Sequence, residues 1–326
     1  DINVRETNGD TPLIIACQTG SADIALYLLE HGAEINHICE CGNTALYVAT
    51  FTYNRHENIT MMKSLLDHGA NLNLLCQYRL TPLMVAAKDS LEEVTELFLE
   101  YGADPNFQDS DGDTALSMAC IRNNQIIVDI LLRNDKVDLN LATNEQFTPL
   151  MIACIKWDTI ITMIKFLLKQ PGINVNVQNN KGYTPLILAC YKHNETIARL
   201  LIQHGADVNI ATHKKVTPLM MACQNRSFIL VDLLLQQGAQ VNIQNDINGD
   251  TALIISSRFY YNFNITKKLL VEGKANVNIC NKNNETALIL ACYSNNIKYI
   301  KLLIDHGADV NVQEGKKGLT PLMIAL

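Results

Sequence analysis

A unit of about 33 residues returns along the whole of this 326-residue chain, and it constrains the fold more than any other feature. A threonine marks the unit at ten positions that are 33 to 37 residues apart. These threonines are Thr11, Thr44, Thr81, Thr114, Thr148, Thr184, Thr217, Thr251, Thr286 and Thr320. An asparagine recurs with a similar period, at Asn3, Asn36, Asn73, Asn106, Asn140, Asn176, Asn209, Asn242, Asn278 and Asn311. Such a period predicts repeated units that bury a continuous core by stacking on their neighbours.

Residues 184–209, TPLILACYKHNETIARLLIQHGADVN, indicate what each unit folds into. Thr184 can accept a backbone N–H and so start a helix, and Pro185 follows where its missing N–H costs nothing. Apolar residues then recur at spacings of three and four on both sides of a polar turn, which predicts two helices with one apolar face each. Gly205 ends the second helix because glycine tolerates a left-handed backbone. The unit is predicted to be helix, turn, helix and a short extended finger.

The T-P-L that opens the first helix and the G-A-D-V-N that closes the second resemble the ankyrin repeat, and the resemblance covers essentially the whole chain. It implies an all-α ankyrin-repeat solenoid of stacked helix-turn-helix units with β-hairpin-like finger loops. It implies a single domain over residues 1–326, with repeats that start near residues 6, 39, 76, 109, 143, 179, 212, 246 and 281 and a partial repeat at 315–326. Because neither end carries the polar capping repeat that solenoids need, we expect a monomeric array within a larger protein.

Composition argues against two classes of partner. The net charge is −7 and the pI about 5.6, whereas nucleic-acid binding usually needs clustered lysine and arginine. No apolar run approaches the roughly 18–20 residues of a membrane span, and no signal peptide is visible at the start. We therefore predict no nucleic-acid partner, no direct insertion into a membrane, and an intracellular, cytoplasmic location.

The ten cysteines follow the repeat rather than a disulfide framework. Six of them lie six residues after the repeat threonine, on the buried face predicted for the first helix: Cys17, Cys120, Cys154, Cys190, Cys223 and Cys292. Equivalent positions in packed helices lie about 8–10 Å apart, whereas a disulfide needs Cα atoms closer than about 7 Å. We therefore predict small core thiols in a reducing compartment.

Cys39 and Cys41, with Cys76 on the next finger, could contribute ligands to a zinc ion. No second pair and no histidine is placed to complete the four ligands of such a site. Four histidines directly precede the glycine that ends a second helix: His31, His68, His204 and His306. They recur because the unit recurs, and each is predicted to bond the last carbonyls of its own helix. We predict no metal ion and no cofactor.

The family's usual histidine, three residues after the threonine, is missing in every unit. The residues here are Ile14, Tyr47, Met84, Ser117, Met151, Ile187, Met220, Ile254, Ile289 and Met323. The hydrogen bonds that this histidine supplies between repeats are therefore in doubt, and we expect apolar packing to replace most of them.

No catalytic constellation is visible, since the chain has no phosphate-binding loop, no HExxH motif and no nucleophile elbow. We therefore predict that the chain is not an enzyme but a protein–protein interaction scaffold or adaptor that binds a partner on the concave face of the array. The alternative is the targeting or substrate-recognition arm of a larger enzyme, such as a ubiquitin-ligase receptor or a kinase, whose catalytic domain lies outside this chain. A third interpretation is a structural spacer in a longer array.

The resemblance places partner binding on the finger tips and the inner helix. In the middle repeats these positions, with the tryptophan of an adjoining longer loop, give an aromatic and basic set. Its members are Phe147, Ile155, Lys156, Trp157, Lys181, Tyr183, Tyr191, Lys192, Lys214 and Lys215. Aromatic anchors rimmed by charge are typical of binding hot spots, and lysines favour an acidic protein partner. Ordinary variation at a solvated surface is the other interpretation of the same residues.

The resemblance also implies a modification. In the family, some exit asparagines are hydroxylated where a leucine lies eight residues before. Asn209, Asn242 and Asn311 meet that condition. The simpler alternative is that each asparagine only bonds the backbone of the finger.

Overall fold

The structure is a computed structural model that describes residues 1–51, 55–76, 79–155, 161–258, 262–315 and 317–325. Its contacts divide the chain into two compact units, Asp1–Ala153 and Cys154–Leu326, here called the amino-terminal and carboxy-terminal units.

The described residues form nineteen helices. The first nine are α1 (Pro12–Gln18), α2 (Ala22–Glu30), α3 (Ala45–Ala49), α4 (Arg55–Asp67), α5 (Pro82–Lys88), α6 (Glu92–Glu100), α7 (Ala115–Arg122), α8 (Gln125–Leu132) and α9 (Pro149–Ile155). The others are α10 (Ile161–Leu168), α11 (Pro185–Tyr191), α12 (Glu195–Gln203), α13 (Pro218–Gln224), α14 (Phe228–Gln236), α15 (Ala252–Ser257), α16 (Phe263–Val271), α17 (Ala287–Tyr293), α18 (Ile297–Asp305) and α19 (Pro321–Ala325). No strand occurs in the described ranges, so the predicted all-α class is confirmed.

Each first helix begins at its repeat threonine. In all ten units the threonine Oγ1 accepts the backbone N–H of the residue three positions on, with N···O distances of 3.1 to 3.4 Å. The backbone of Thr184 is extended, and Pro185 takes the first helical position. This bond satisfies one of the N–H groups that a helix start leaves without a partner, which confirms the predicted cap.

The helices of a repeat pack as hairpins, and successive hairpins stack within each of the two units. In the amino-terminal unit α1 packs against both α2 and α3, and in the carboxy-terminal unit α11 packs against both α12 and α13. The position that holds histidine in the family is apolar and buried in most repeats, for example at Ile14, Met84 and Ile187. Because burial of one such side chain contributes about 1.5–3 kcal/mol, apolar packing does hold these repeats together as expected.

Second helices end where predicted. Gly205 follows α12 with φ at +87°, a left-handed conformation that costs a side chain energy. The preceding His204 places Nδ1 2.8 Å from the Leu200 carbonyl oxygen, one of the last carbonyls of α12. The same 2.8 Å contact is made by His31, His68 and His306. The predicted role of these histidines at helix ends is therefore confirmed.

The fingers are hydrogen-bonded turns rather than pairs of strands. Before Thr184, the Asn179 N–H donates to the Tyr183 carbonyl oxygen over 3.0 Å, and the Gly182 N–H donates to the Asn179 carbonyl oxygen over 2.7 Å. The Asn179 side-chain oxygen also accepts the N–H groups of Lys181 and Tyr183. The finger is thus hairpin-like in its bonding, although no described residue is assigned to a strand.

Six of the exit asparagines join their finger to the next repeat through two hydrogen bonds each. Asn209 Oδ1 accepts the N–H of Gln240 over 2.8 Å, and Asn209 Nδ2 donates to the Gly238 carbonyl oxygen over 3.3 Å. The same two bonds are made by Asn3, Asn36, Asn106, Asn176 and Asn278. We call this series the asparagine ladder. It supplies hydrogen bonds between repeats that the missing histidine does not.

The six cysteines that follow the repeat threonine are buried, and all ten cysteines are free of disulfides. Burial raises the pKa of Cys17, Cys120 and Cys190 to about 12. Protonated thiols of this kind behave as small apolar side chains, which agrees with their predicted place in the core.

Candidate functional site

Finger loops of three successive repeats line an open groove of about 800 Å³ in the carboxy-terminal unit. We call it the lysine groove. It is lined by Asn180, Lys181, Tyr183, Thr212, His213, Lys214, Val216, Met221, Gln224, Asn245, Ile247, Asn248, Asp250, Ile255 and Arg258. The structure thus brings three of the predicted residues, Lys181, Tyr183 and Lys214, to one surface.

Positive charge predominates in the lysine groove. Its cations are Lys181, Lys214 and Arg258, and its one carboxylate belongs to Asp250. Arg258 Nη2 lies 2.9 and 2.7 Å from the two carboxylate oxygens of Asp250, whose side chain is only 4 % exposed. Because Arg258 neutralises Asp250, the exposed ammonium groups of Lys181 and Lys214 set the charge of the groove.

Apolar side chains lie between these cations. Tyr183 is half-buried, while Val216 and Met221 are each 9 % exposed. Ile247 is 59 % exposed at the edge of the groove. An aromatic ring beside buried aliphatic groups, with charge at the rim, is the arrangement that anchors a partner side chain in protein interfaces.

The backbone around the lysine groove is tightly constrained. The His213 N–H donates to the Lys181 carbonyl oxygen over 3.2 Å, which joins two successive fingers. Gln178 Nε2 donates to the carbonyl oxygens of Gly182 and Ala211, both over 2.9 Å. A Cβ atom on Gly182 would lie 2.4 Å from the His213 nitrogen, so only glycine fits there. The fingers that carry the lysines are therefore held in fixed positions.

Other predicted residues lie outside the lysine groove. Tyr191, 55 % exposed at the end of α11, and Lys192 line a separate shallow depression with Asn225. The Lys192 Nζ atom is 5.9 Å from the centre of the Tyr191 ring, which is a cation–π contact. Lys215 forms a 3.1 Å ion pair with Asp246 and is absent from the groove lining.

Two more described residues of the predicted surface line neither site. Phe147 is half-buried in the amino-terminal unit, and Ile155 is half-buried at the end of α9. Lys156 and Trp157 lie outside the described residues.

A second groove of about 580 Å³ lies at the corresponding fingers of the amino-terminal unit, and we call it the aspartate groove. It is lined by Arg79, Leu80, Lys88, Asp109, Ser110, Asp111, Asp113, Met118, Ile121 and Arg122. The Asp109 carboxylate accepts the N–H groups of Asp111 and Asp113 over 2.9 and 2.8 Å. Burial raises the pKa of Asp113, the charges of Asp109 and Asp111 raise it further, and a hydrogen bond from Ser117 lowers it. Three carboxylates here balance three cations.

The asparagines named as modification sites are bonded within the fingers. Both ends of the Asn209 amide are engaged in the asparagine ladder. Asn242 Oδ1 accepts the N–H of Asn276 over 2.8 Å, and the Asn311 N–H donates to Asp309 Oδ1 over 2.8 Å. Their hydroxylation stays a prediction.

A cluster of two cysteines and an aspartate forms in the amino-terminal unit. The side-chain sulfur atoms of Cys39 and Cys41 and a carboxylate oxygen of Asp10 all lie within 4.8 Å of one another. Burial, followed by the hydrogen bond with Cys41, raises the pKa of Cys39 to about 12. Cys76, which sequence reasoning grouped with this pair, instead packs with Tyr47 and other buried residues in the core.

Sequence reasoning missed the residues that hold the loops. A glutamine six or seven residues before the threonine donates from Nε2 to carbonyl oxygens in two successive fingers, with distances of 2.8 to 2.9 Å. These glutamines are Gln108, Gln178 and Gln244. Asp10 and Asp250, each directly before its threonine, were also missed. Their recurrence relative to the threonine was present in the sequence and could have identified them.

None of the helices in the ranges that the structure describes combines the length and the apolar character needed to cross a bilayer.

Comparison with known families identifies the repeat. A family profile described as "Ankyrin repeats (3 copies)" matches residues 1–74, 40–109, 83–179, 160–245 and 253–326. The stacked helical hairpins, their threonine caps and their open grooves define a helical-repeat protein. The chain belongs to the ankyrin-repeat family.

Several curated proteins are similar to part of the chain. The ankyrin repeat protein FPV031 of Fowlpox virus (strain NVSL) is 31 % identical over 173 residues, which is 50 % of this chain and 40 % of that protein. Potassium channel AKT2/3 of Arabidopsis thaliana is 29 % identical over 148 residues, 45 % of this chain and 18 % of the channel. Rabankyrin-5 of Homo sapiens is 28 % identical over 161 residues, 47 % of this chain and 14 % of that protein. The matched part spans less than half the length of each of these relatives.

Among solved structures, the ankyrin repeat domain of Bcl-3, a member of the IkappaB protein family, is similar to this chain with a TM-score of 0.56 and 25 % identity. The match covers 76 % of this chain and 94 % of that domain. The fold is thus an ankyrin-repeat solenoid. Ankyrin repeats are generally protein–protein interaction modules, and the fold typically serves as a non-catalytic domain.

Proposed function

We propose that this chain is a non-enzymatic interaction module and that a partner protein docks an acidic segment in the lysine groove. The observation that carries the proposal is the excess of positive charge in that groove, on a chain whose net charge is −7. The groove also lies on the finger positions at which partner binding is predicted.

Each group in the groove has a separate part in the proposed binding. Lys181 and Lys214 are exposed, so their attraction for carboxylates is screened by salt and acts mainly on the rate and specificity of association. Tyr183 and the buried groups beside it supply the apolar contact from which most affinity derives. The fixed fingers keep the entropy cost of binding low, because they need little ordering when a partner arrives.

The ten free thiols support the proposal that the protein works in an intracellular, cytoplasmic setting. Six of them lie on the buried faces of the first helices, and a reducing environment keeps cysteines in the thiol form. We propose a protein partner and no nucleic-acid partner, because the cations of the lysine groove are few and the remaining surface is acidic overall.

A displayed library of random peptides, selected against the purified chain, tests the proposal. We expect the retained peptides to be enriched in aspartate and glutamate beside at least one large apolar residue. The double variant Lys181→Glu/Lys214→Glu should lose that enrichment, and a synthesised peptide from the selection should bind it at least about tenfold more weakly, which corresponds to 1.4 kcal/mol.

The matched control is Lys88→Glu/Arg122→Glu, which makes the same charge change in the aspartate groove. It should retain wild-type selection and affinity. Binding to the wild type should weaken as salt is added, whereas the residual binding of the lysine variant should respond little. Selection without acidic enrichment, or equal loss in both double variants, would overturn the proposal.

A further inference from the structure

Three aspartates directly precede a repeat threonine, namely Asp10, Asp113 and Asp250. Asp10 and Asp250 are the two that are buried, and they have different neighbours. Each faces the residue seven positions after that threonine and the residue five positions before the next threonine. Around Asp250 these neighbours are Arg258 and Asn281, whereas around Asp10 they are Gln18 and Cys39.

The Asp250 carboxylate is fully satisfied by its neighbours. Both of its oxygens bond Arg258, and Asn281 Nδ2 donates to its Oδ1 over 2.9 Å. A further amide, Asn248 Nδ2, donates to its Oδ2 over 2.7 Å. This loop shows what the fold supplies to a buried carboxylate at this position: one cation and two amide donors.

The Asp10 carboxylate has no such counter-charge. It is 6 % exposed, and Gln18, a neutral side chain, donates to its Oδ2 over 2.9 Å. Its Oδ1 is buried without a hydrogen-bond partner of ordinary geometry, and the only described side chain that interacts with the carboxylate from the next finger is the neutral thiol of Cys39. None of the described cationic side chains forms an ion pair with it. A buried carboxylate without a counter-charge is costly, so a cation supplied from outside the described side chains would stabilise this loop.

Two sulfur atoms complete the surroundings of Asp10. Cys39 is buried, Cys41 is exposed, and both sulfurs lie within 4.8 Å of the carboxylate oxygen. The Asn43 backbone N–H donates to Cys39 Sγ over 3.4 Å, and Asn43 Nδ2 donates to Cys41 Sγ over 3.2 Å. Both bonds can also be made to the thiolate form, which is the form of cysteine that ligates a metal ion.

We propose that Asp10, Cys39 and Cys41 bind a borderline-soft divalent metal ion of the zinc class. Two thiolates and one carboxylate are a ligand set that zinc accepts, with a water molecule in the fourth position. Binding would add two positive charges and release the two thiol protons, so the net charge of the site is unchanged while the carboxylate gains its counter-ion. Gln18 would orient the carboxylate from outside the ligand set, as partners of metal-bound carboxylates do.

Occupation of the site requires only a small movement. Cys39 Sγ and Cys41 Sγ lie 2.7 Å apart, whereas two sulfurs bound to one tetrahedral zinc ion lie about 3.8 Å apart. Because Cys41 is exposed, its side chain can turn outward without disturbing the core. The buried Cys39 and Asp10 would stay in place.

Titration of the reduced 326-residue chain with cobalt(II) tests the proposal. We expect one equivalent to bind and to produce thiolate-to-cobalt charge-transfer absorption, and zinc(II) to displace it. Cys41→Ser, at an exposed position, should weaken binding by more than the roughly 10–100-fold that loss of an outer-shell partner costs. Asp10→Asn should weaken it at least about tenfold, since it removes a charged ligand, and circular dichroism should show an intact fold. The matched control Cys280→Ser changes a half-exposed cysteine of the other unit and should leave binding unchanged.

A charge-replacement variant separates metal binding from simple folding effects. Gln18→Arg places a guanidinium where Arg258 lies in the other loop, so it should raise the melting temperature of the metal-free chain and abolish cobalt binding. Absence of the sulfur absorption in the fully reduced wild type would overturn the proposal. So would unchanged binding in Cys41→Ser or in Gln18→Arg.

Discussion

The lysine groove and the aspartate groove are built on the same framework and present different surfaces. Both lie on finger loops and the first helices that follow them. In one, cations outnumber carboxylates by three to one around an apolar patch, and in the other three carboxylates balance three cations. The comparison shows that the residues that fix the conformation of a finger differ from the residues that the finger exposes. One scaffold can therefore carry unrelated binding surfaces.

The framework is the same in detail. Gln178 Nε2 bridges two carbonyl oxygens over 2.9 Å each, and Gln108 does so over 2.8 Å each. A Cβ atom on Gly182 would lie 2.4 Å from the next finger, and one on Gly112 would lie 2.5 Å from it. If the two grooves share a scaffold, framework mutations should have equal effects in both units, and surface mutations should not.

The largest expected effect tests that equality. Gly182→Ala and Gly112→Ala should each lower the free energy of unfolding by about 3 kcal/mol, because the new Cβ meets backbone and the glycine has a left-handed conformation. Urea unfolding of each variant gives the values. Gly205→Ala is the control, since its Cβ would meet nothing within 4 Å, and it should lose only about 1–2 kcal/mol. Clearly unequal losses at positions 112 and 182 would show that the two frameworks differ.

The second prediction concerns the ion pair of the lysine groove. Arg258→Gln should lower the free energy of unfolding by about 2 kcal/mol, because it removes charge-assisted hydrogen bonds from a buried carboxylate. Arg122→Gln changes an exposed cation of the aspartate groove and should have almost no effect. The urea midpoints of the two variants measure the difference. Equal midpoints would mean that Asp250 does not need Arg258.

The third prediction is a smaller effect that should again be shared. Thr184→Ala and Thr81→Ala each remove a helix cap and should lower the free energy of unfolding by about 1 kcal/mol. Replacement by serine at either position keeps the hydroxyl oxygen and should restore most of the loss. The melting temperatures of the four variants measure this recovery. If the serine variants are no more stable than the alanine variants, the effect comes from packing instead of the cap.

The smallest expected effect is specific to the aspartate groove. The pKa of Asp113 is raised from 3.8 by burial and by Asp109 and Asp111, so the folded chain holds this proton more tightly than the unfolded chain. Its contribution to stability therefore falls as pH rises through the window between 3.8 and the raised value. Asp113→Asn should abolish that part of the pH dependence and stabilise the chain slightly at neutral pH. An unchanged pH profile of the urea midpoint would contradict the assignment.

Much of the fold was predictable from the sequence because its determinants are local and recur. The threonine caps, the left-handed glycines and the histidines at helix ends depend on residues a few positions apart, and their recurrence along the chain makes each one visible. The burial of the cysteines at a fixed position follows from the same periodicity. The all-α class and the family were identified on this basis.

The candidate sites were predictable only in part, because they depend on contacts between successive fingers. Lys181, Tyr183 and Lys214 were expected on one surface and do line one groove, whereas Lys215 pairs with Asp246 instead. The two cysteines beside Asp10 lie about thirty residues away on the next finger. A pattern of spacings cannot show which side chains meet across that gap, or which buried oxygen lacks a partner.

The asparagine ladder has a consequence for the chemical ageing of the protein. Asparagine is a thermolabile residue, and slow hydrolysis of its side-chain amide leaves a carboxylate. At Asn209 this would replace the amide group that donates to the Gly238 carbonyl with a carboxylate oxygen that repels it, while the bond from Gln240 would remain. An aged molecule would therefore lose hydrogen bonds between neighbouring repeats at one asparagine after another, while the hydrogen bonds within its helices are unchanged.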